Sequence, residues 1–594
     1  MKRAALLLVL ALAGCGRSED TGYGALQLAL EGCPDTTGLV LDPYGVCGFK
    51  LKVLGGEWRG AEPAAVFSSG CLPYSGDQVR IEHFPTGTNL TIVLEMFKDP
   101  TCKPEERTVM GVRGGVSVVE NDPKPGLWYV PTAAVGGFKA LPVLAQSLRD
   151  AAAAMSCTTN DDCSAKKADS SYVLSPIATC NTDTGKCQLP SSLYPLNAST
   201  PRAFHTATAL ADGRIALIGG LSREYEKNKF LAADQTVEVF DPATMVWSET
   251  EVEGLSTQRI AFHSAVSLGG QKVGVFGGAR EADVRFPAAD KLAGKPYLQI
   301  KVKPDSPAVG DNLSDLVYTV DLATRKASTT SLQIPRFRTS AARVKTAAGP
   351  RVLVTGGEFK SGNGTIEGQY VDLCDMTVSP PACVASDPSA DRAGSCGICL
   401  DEGSEPDCSR FFFFGGLGET RDPSKEIGEA WTDGVFQPLG WDYDNVVFPT
   451  CVRSGQFTYA IGGASKKLTA PDVLPQVLSI PSADGAILSY ELEGAAAKDT
   501  LSAFRVHNTV TVLEDGSVLV VGGVDDAGKV VGVAHVISGG KLVSQKAMVT
   551  PRFGHTATLI TTGALKGAVL ISGGFTTDSA GDIVFAEGAE IFLP

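Results

Sequence analysis

The sequence predicts an all-β protein of several domains. Three observations carry that expectation. Short apolar runs ending in Gly-Gly recur from about residue 191 to the C-terminus. Segments rich in β-branched residues are punctuated by Gly, Pro and Asp, with almost no helical stripe between them. Glycine, at 66 of 594 residues, is abundant enough for many tight turns. The net charge of −14 argues against nucleic acid as a partner, because phosphate binding needs clustered Lys and Arg.

The N-terminus reads as an export signal. "MKRAALLLVLALAGC" places two basic residues before an apolar run from Ala4 to Ala13, too short to span a bilayer. "LAGC", Leu12 to Cys15, resembles the bacterial lipobox. That resemblance implies cleavage before Cys15, a signal peptide over 1–14, and lipid on Cys15 as the membrane anchor. Gly16, where an Asp would favour inner-membrane retention, leans the expectation to the outer membrane.

Setting Cys15 aside leaves 14 of the 15 cysteines, in even groups. They are Cys33, Cys47, Cys71 and Cys102; Cys157, Cys163, Cys180 and Cys187; and Cys374, Cys383, Cys396, Cys399, Cys408 and Cys451. Even local groups in an exported protein predict disulfides formed within local units.

A short tether over 15–23 leads into a strand-rich segment over 24–150. "GFKLKVLGG", "NLTIVLEMF" and "LWYVPTAAV" are typical of it, and their number suggests a β-sandwich-like domain. "FPTGTNLTIVLEMF" resembles a strand of immunoglobulin-like or transthyretin-like modules. "VLAQSLRDAAAAM", Val143 to Met155, is the one stretch with helical character. Residues 151–190 hold four cysteines and few apolar residues, so disulfides must hold this linker module together.

Residues 191–594 answer to a repeat. Seven apolar runs end in Gly219–Gly220, Gly277–Gly278, Gly356–Gly357, Gly415–Gly416, Gly462–Gly463, Gly522–Gly523 and Gly573–Gly574, spaced by roughly 50 to 80 residues. Most are preceded by a second run opening on Arg or His, such as "RAFHTATAL" and "RFGHTATLI". Several are followed by a third, such as "VEVFDPATMVW". Three or four strands repeated seven times is the signature of a β-propeller.

The pattern resembles the Kelch repeat. The first unit matches throughout, at Arg202, His205, Gly219, Gly220, Asp241, Pro242 and Trp247. The last matches at Arg552, His555, Gly573 and Gly574. The resemblance implies a Kelch-like propeller of seven blades, or six if the unit at "FTYAIGG" is incomplete. Such rings close by pairing a strand from one terminus into the blade at the other, and Ser191–Thr200 is the expected closing strand.

His205, His263, His507 and His555 are four of the six histidines, each heading its own unit. A seven-fold arrangement predicts that they stand apart, in hydrogen bonds within their own blade, often to a neighbouring loop, as do Arg202, Arg259, Arg336, Arg505 and Arg552. "CGIC" lies on a predicted strand, where Cys396 and Cys399 point to opposite faces, so each pairs elsewhere. Cys408 and Cys451 are the candidates.

The segments before the first strand and after each Gly-Gly share one face. The longest insertion there, Ala279 to Leu316, carries Arg280, Arg285, Lys291, Lys295, Tyr297, Lys301 and Lys303. These are the candidate ligand-binding residues, since long loops on a rigid scaffold are where binding resides. The expected ligand is a protein or an anionic polysaccharide.

The functional expectation is a surface-anchored, non-catalytic binding or scaffold protein without a cofactor or metal. The alternative is a carbohydrate-active hydrolase or epimerase working at the propeller axis. A copper radical oxidase resembling galactose oxidase would need a Cys–Tyr cross-link and two converging histidines, and the sequence offers no such constellation. Carboxylates converging with Arg at the axis would favour an enzyme. Apolar and small residues there would favour binding.

Overall fold

The structure is a computed structural model. It describes residues 9–12, 23–28, 47–73, 79–118, 127–129, 132–140, 154–159, 161–164, 179–181, 184–188, 201–233, 237–255, 259–286, 298–306, 310–361, 364–367, 370–386, 393–399, 401, 407–416, 428–432, 434–438, 446–455, 457–465, 476–479, 488–491, 505–525, 528–539 and 541–594. Across them the chain is all-β and antiparallel, apart from one 3-10 turn and one short helix, Asp161–Ser164. No helix among the described residues is long and apolar enough to cross a membrane. Ser191–Thr200, Lys291, Lys295, Tyr297, Cys15, Cys33 and most of Val143–Met155 lie outside the described residues.

The N-terminal part contains two sheets. Ala65–Pro73, Gly48–Leu54, Gly87–Phe97, Arg107–Val118 and Thr132–Ala134 form a five-stranded sheet in that order. The alternation in "GFKLKVL" explains the central strand, with Phe49, Leu51 and Val53 buried on one face. The other sheet joins Val79–Pro85, Tyr23–Leu28, Val9–Leu12 and Leu127–Tyr129. Its third strand lies within the leader that cleavage before Cys15 would remove.

Cysteines pair within their groups, as Cys71–Cys102, Cys157–Cys180, Cys163–Cys187, Cys374–Cys383, Cys396–Cys451 and Cys399–Cys408. Cys47 is also disulfide-bonded. The two cysteines of "CGIC" diverge to the two partners expected for them, because they face opposite sides of one strand.

The C-terminal part repeats one unit. Thr206–Ala209, Ile215–Ile218, Val237–Asp241 and Val246–Thr250 make the first four-stranded sheet. Sheets of the same order begin at Ser264–Gly269, Ser340–Thr346, Cys396–Cys399 and Thr509–Val512. Two hairpins, Thr450–Ser454 with Phe457–Ile461 and Gln476–Ser479 with Leu488–Glu491, lie against each other in the fifth position. The last sheet runs Thr556–Leu559, Val569–Ser572, Ala589–Leu593 and then Gly137–Ala140. The first strands touch one another in chain order, and Thr556–Leu559 touches Thr206–Ala209, which closes the cycle.

The closing strand differs from the expected one. Gly137–Ala140, not Ser191–Thr200, occupies the outer edge of the last sheet, pairing Gly137 with Leu593 through Ala140 with Glu590. Phe138 packs on Phe592 with ring centroids 4.9 Å apart. The segment read as a separate domain over 24–150 therefore gives its last strand to the repeat unit. It is also bound at its other end. Leu54, Val93 and Val112 share one apolar cluster with Leu217, Phe240 and Trp247. Arg59 grips the Asp241 carboxylate with two hydrogen bonds of 3.0 and 2.7 Å. Asp241 and Trp247, conspicuous in the sequence motif, thus serve this junction.

The Gly-Gly pairs work between neighbouring units. The second glycine donates its N–H to a carbonyl at the head of the next unit: Gly220 to Ile260, Gly278 to Arg336, Gly463 to Arg505, Gly523 to Arg552 and Gly574 to Arg202, at 2.7–2.9 Å. The last of these joins the end of the chain to the first unit. A Cβ on the first glycine of the pair would stand 2.3 Å from the same carbonyl at Gly219 and Gly573, and φ there is +63° and +61°. Only glycine satisfies both conditions.

These contacts correct one assignment. Ile260, not Arg259, holds the Arg position of the second unit. In three units the Arg is buried against a carboxylate: Arg202 on Glu238 at 2.9 Å, Arg336 on Asp372 at 2.6 Å and Arg552 on Glu590 at 2.8 Å. Arg505 of the sixth unit has His535 at that position and donates to the Val533 carbonyl at 3.4 Å. In the second unit the residue in the carboxylate position is Tyr318, so an uncharged pair replaces an ion pair.

Candidate functional site

Seven segments, one per unit, converge at the centre of the cycle. The residues that meet there are Phe204, Phe262, Arg338, Gly394, Phe448, His507 and Gly554. All seven have positive φ, from 55° to 65°. Six backbone hydrogen bonds link them head to tail: Phe204 donates to Gly554, Phe262 to Phe204, Arg338 to Phe262, Gly394 to Arg338, Phe448 to Gly394 and Gly554 to His507, at 2.7–3.2 Å.

A left-handed conformation costs a non-glycine residue about 1–2 kcal/mol. Glycine is the natural occupant and holds two of the seven places. At the other five, Phe, Arg and His bring side chains at that cost. Strain of this kind marks a place where the side chains have a use.

Those side chains form a collar. Phe204 stacks on Phe262 with centroids 4.6 Å apart, and His507 meets Phe204 at 5.2 Å and Phe448 at 5.4 Å. The Arg338 guanidinium lies over Phe262 at 5.7 Å and Phe448 at 5.0 Å. Its charge is matched by Glu358, 2.6 Å away. The glycines leave room for their neighbours: the Phe448 ring covers Gly394 and the Phe204 ring covers Gly554.

The next residue of most units forms a second layer. His205, His263, Thr339, Ser395, Asn508 and His555 line the same cavity, whose volume is about 280 Å³. The histidines therefore do not stand apart, as their spacing along the chain suggested. The segments that carry them run inward and meet. They hydrogen-bond to the neighbouring unit rather than within their own, because each imidazole reaches the first strand of the unit beside it. His263 reaches Thr206 Oγ1 at 2.8 Å, His555 reaches Thr509 Oγ1 at 2.9 Å and His205 reaches Thr556 Oγ1 at 3.0 Å. His507 is a second correction, since it belongs to the collar and Asn508 takes the layer position that histidine holds in other units.

Similar clips join the remaining units. Ser264 meets Thr339 at 2.8 Å, Ser340 meets the Ser395 carbonyl at 3.0 Å and Thr450 meets the Asn508 carbonyl at 3.2 Å. Between the fourth and fifth units Pro449 sits where the polar residue would be. There the Cys396–Cys451 disulfide makes the connection instead.

The imidazoles are uncharged. Burial, and then the neighbouring Arg202, push His263 down to about 3. Burial with Arg338 does the same to His507, and burial with Arg552 to His555, again to about 3. His205 falls well below its usual value through burial, Arg202, His263 and His555. The Nδ1 atoms of His205, His263 and His555 and both side-chain polar atoms of Asn508 are buried without a hydrogen-bond partner. No carboxylate lines the cavity among the described residues. The histidine nitrogens are not gathered as metal ligands either. Among the described residues, groups of three ligand atoms within 4.8 Å of one another occur only at Cys157, Cys163 and Cys187 and at Cys399, Asp401 and Cys408, whose cysteines are in disulfides.

The basic insertion lies on the shared face as expected. Ala203 bridges to Leu221, Ala261 to Ala279, Val506 to Val524 and Phe553 to Phe575, so the heads of the units and the segments after Gly-Gly run together. The insertion is not a free loop, however. Glu281–Arg285 and Gln299–Lys301 join Leu221–Glu226 and Lys229–Ala232 in a four-stranded sheet. Arg285 is paired with Asp283. Arg280 lines a separate cleft with Asp305, Asp311, Asp315 and Lys360, so the charge there is mixed. Lys301 and Lys303 are exposed. Beneath the sheet, Phe230, Phe553, Phe575 and Ile583 form an apolar core against which Phe204 and Phe448 pack.

Sequence reasoning missed the collar and Asn508. The available signal was register: counting two residues on from Arg202, Ile260, Arg336, Arg505 and Arg552 reaches Phe204, Phe262, Arg338, His507 and Gly554. No protein-family model matches the chain, and no curated protein matches it.

Proposed function

We propose that the chain is an exported, lipid-anchored, non-catalytic binding protein built on a Kelch-like propeller of seven blades, with its ligand in the central cavity. One observation carries this reading: an aromatic collar and a layer of neutral polar residues line a central cavity, and no carboxylate among the described residues joins them. Acid–base catalysis needs a group that can hold and release a proton near the working pH. The four histidines are held neutral, and Arg338 is occupied by Glu358. The lining therefore suits recognition rather than bond cleavage. The closed order of first strands and the contact from Gly574 to Arg202 support seven blades over six. The lipobox-like "LAGC" and the intramolecular disulfides support export.

A thermal-shift screen on protein lacking residues 1–14, with Cys15 replaced, tests this. The panel is neutral sugars, sialic acids, anionic polysaccharides and metal ions. A ligand that binds only the folded state raises the melting temperature in a concentration-dependent way. The expected result is such a rise with a small ligand, unaccompanied by turnover, and unchanged by Lys301→Glu with Lys303→Glu. Chemical conversion of the ligand, or a shift abolished by those two substitutions, would overturn the reading.

A further inference from the structure

We propose that the cleft between the second and third units binds a zwitterion, an ammonium and a carboxylate carried on an apolar body, as in an apolar amino acid or a short peptide. The cleft shares no lining residue with the central cavity, so this second site stands or falls independently of it. Its volume is about 500 Å³, within the range of small-molecule sites.

Charge defines the two ends of the ligand. Arg280, Lys360, Asp305, Asp311 and Asp315 line the cleft. Lys360 is paired with Asp305 at 2.7 Å, and Asp311 attracts it as well. Arg280 and Asp315 are left over. Both are half-buried, and neither side chain makes a hydrogen bond or ion pair among the described residues. The Arg280 Nε is enclosed and its two terminal nitrogens are not, which leaves the fork that grips carboxylates accessible. Two opposite charges thus share one cleft without bridging each other. A ligand carboxylate on Arg280 and a ligand ammonium on Asp315 satisfy both. A simple anion would meet the carboxylates and a simple cation the guanidinium, so like charge disfavours each.

The backbone holds these groups in place before a ligand arrives. Asn312 is 1 % exposed, and its side chain makes four hydrogen bonds. Its Oδ1 accepts from the Arg280 and Glu281 N–H groups at 2.9 and 2.7 Å, and its Nδ2 donates to the Glu281 and Lys303 carbonyls at 3.1 and 2.6 Å. The chain at Arg280 is thereby tied to the segment that bears Asp311 and Asp315. That segment is tied in turn to the entry of the third unit. The Leu332 N–H donates to the Asp315 carbonyl at 2.7 Å, and the Arg336 N–H to the Ser314 carbonyl at 3.1 Å. Groups fixed in this way lose little freedom on binding.

The rest of the lining is apolar: Pro304, Leu313, Ile334, Pro335 and Phe359. Tyr370 meets the Phe359 ring edge-on at 5.1 Å and holds it. These surfaces suit an aliphatic or aromatic side chain between the two charged groups of the ligand.

Titration calorimetry on the leaderless chain, with Cys15 replaced, tests the proposal. The probes are leucine, phenylalanine, dileucine and trileucine, each beside its N-acetyl and C-terminal amide forms. The expected result is saturable one-to-one binding of at least one zwitterion. Its N-acetyl and amide forms should each bind about tenfold more weakly, since each loses one charge-assisted contact. Arg280→Gln should weaken the zwitterion about tenfold and remove its advantage over the amide, while keeping its advantage over the N-acetyl form. Asp315→Asn should do the converse. A general loss of structure would not produce this crossed loss of discrimination. Binding of the free amino acids alone would identify the ligand as an amino acid, and binding of the peptides alone would identify it as a peptide; either supports the proposal. No binding by any zwitterion, a blocked form that binds as tightly as its parent, or binding indifferent to both substitutions overturns it.

Discussion

Lowering the pH from 8 to 5 is expected to destabilise the protein by roughly 6 kcal/mol through three buried histidines alone. His263, His507 and His555 are pushed down to about 3 in the folded state, against about 6.5 in the unfolded chain. A folded value below the unfolded one means that the unfolded chain binds protons first as the pH falls. The stability these neutral imidazoles contribute is complete above about pH 6.5 and is lost progressively below it. At pH 5 each unfolded histidine is almost fully protonated, which amounts to roughly 2 kcal/mol per residue. Native proteins are stable by about 5–15 kcal/mol, so the loss would bring the chain close to unfolding. Denaturant titrations at pH 8, 7, 6 and 5 measure it. His555→Asn, which installs the residue that the sixth unit already uses at this position, should remove about a third of the loss. A stability that is flat from pH 8 to 5 would mean that the histidines are solvated and not held neutral by burial.

Asp372→Ala is the substitution expected to cost most, about 3–5 kcal/mol. Arg336 and Asp372 are 0 % and 1 % exposed and 2.6 Å apart. Removing the carboxylate leaves a guanidinium buried without its counter-charge, and that is where the cost arises. The pair itself is not required for the fold. The second unit manages with Ile260 and Tyr318, which are buried in one apolar cluster at the corresponding positions. The double variant Arg336→Ile, Asp372→Tyr should therefore be more stable than Asp372→Ala alone, despite carrying two changes. Equilibrium denaturation with unchanged slope reads both effects. A single variant as stable as the parent would show that Arg336 reaches water.

The contrast between these residues explains what was legible in the sequence. The Gly-Gly pairs and most of the Arg residues could be read because their constraints are local: a positive φ, a carbonyl too close for a Cβ, a charge that must be paired. That the two cysteines of "CGIC" do not pair with each other followed from the two-residue period of a strand. The closing strand could not be read, since "GFKA" carries no mark of its own and its partner lies at the other end of the chain. The collar was hidden for a different reason. Its left-handed backbone is imposed by seven segments meeting at one point, and the residues there, Phe, Arg, Gly and His, share no side-chain chemistry. The motif histidine of the sixth unit was misplaced by one position because His507 and Asn508 stand side by side. Lys301 and Lys303 drew attention as charge on an acidic chain, and pairing of Arg285 with Asp283 reduces the basic character that made the insertion attractive.

The claim on which the account stands is that seven separate segments meet at one centre, joined by a circuit of six backbone hydrogen bonds, one short of closure. Native-state hydrogen exchange at the amides of Phe204, Phe262, Arg338, Gly394, Phe448 and Gly554 tests it most directly, since each donates to the preceding member of the circuit. The account predicts that all six exchange only through global unfolding, with one shared free energy, although they span the chain from the first unit to the last. Six unrelated free energies, or exchange within seconds at several of these amides, would contradict it.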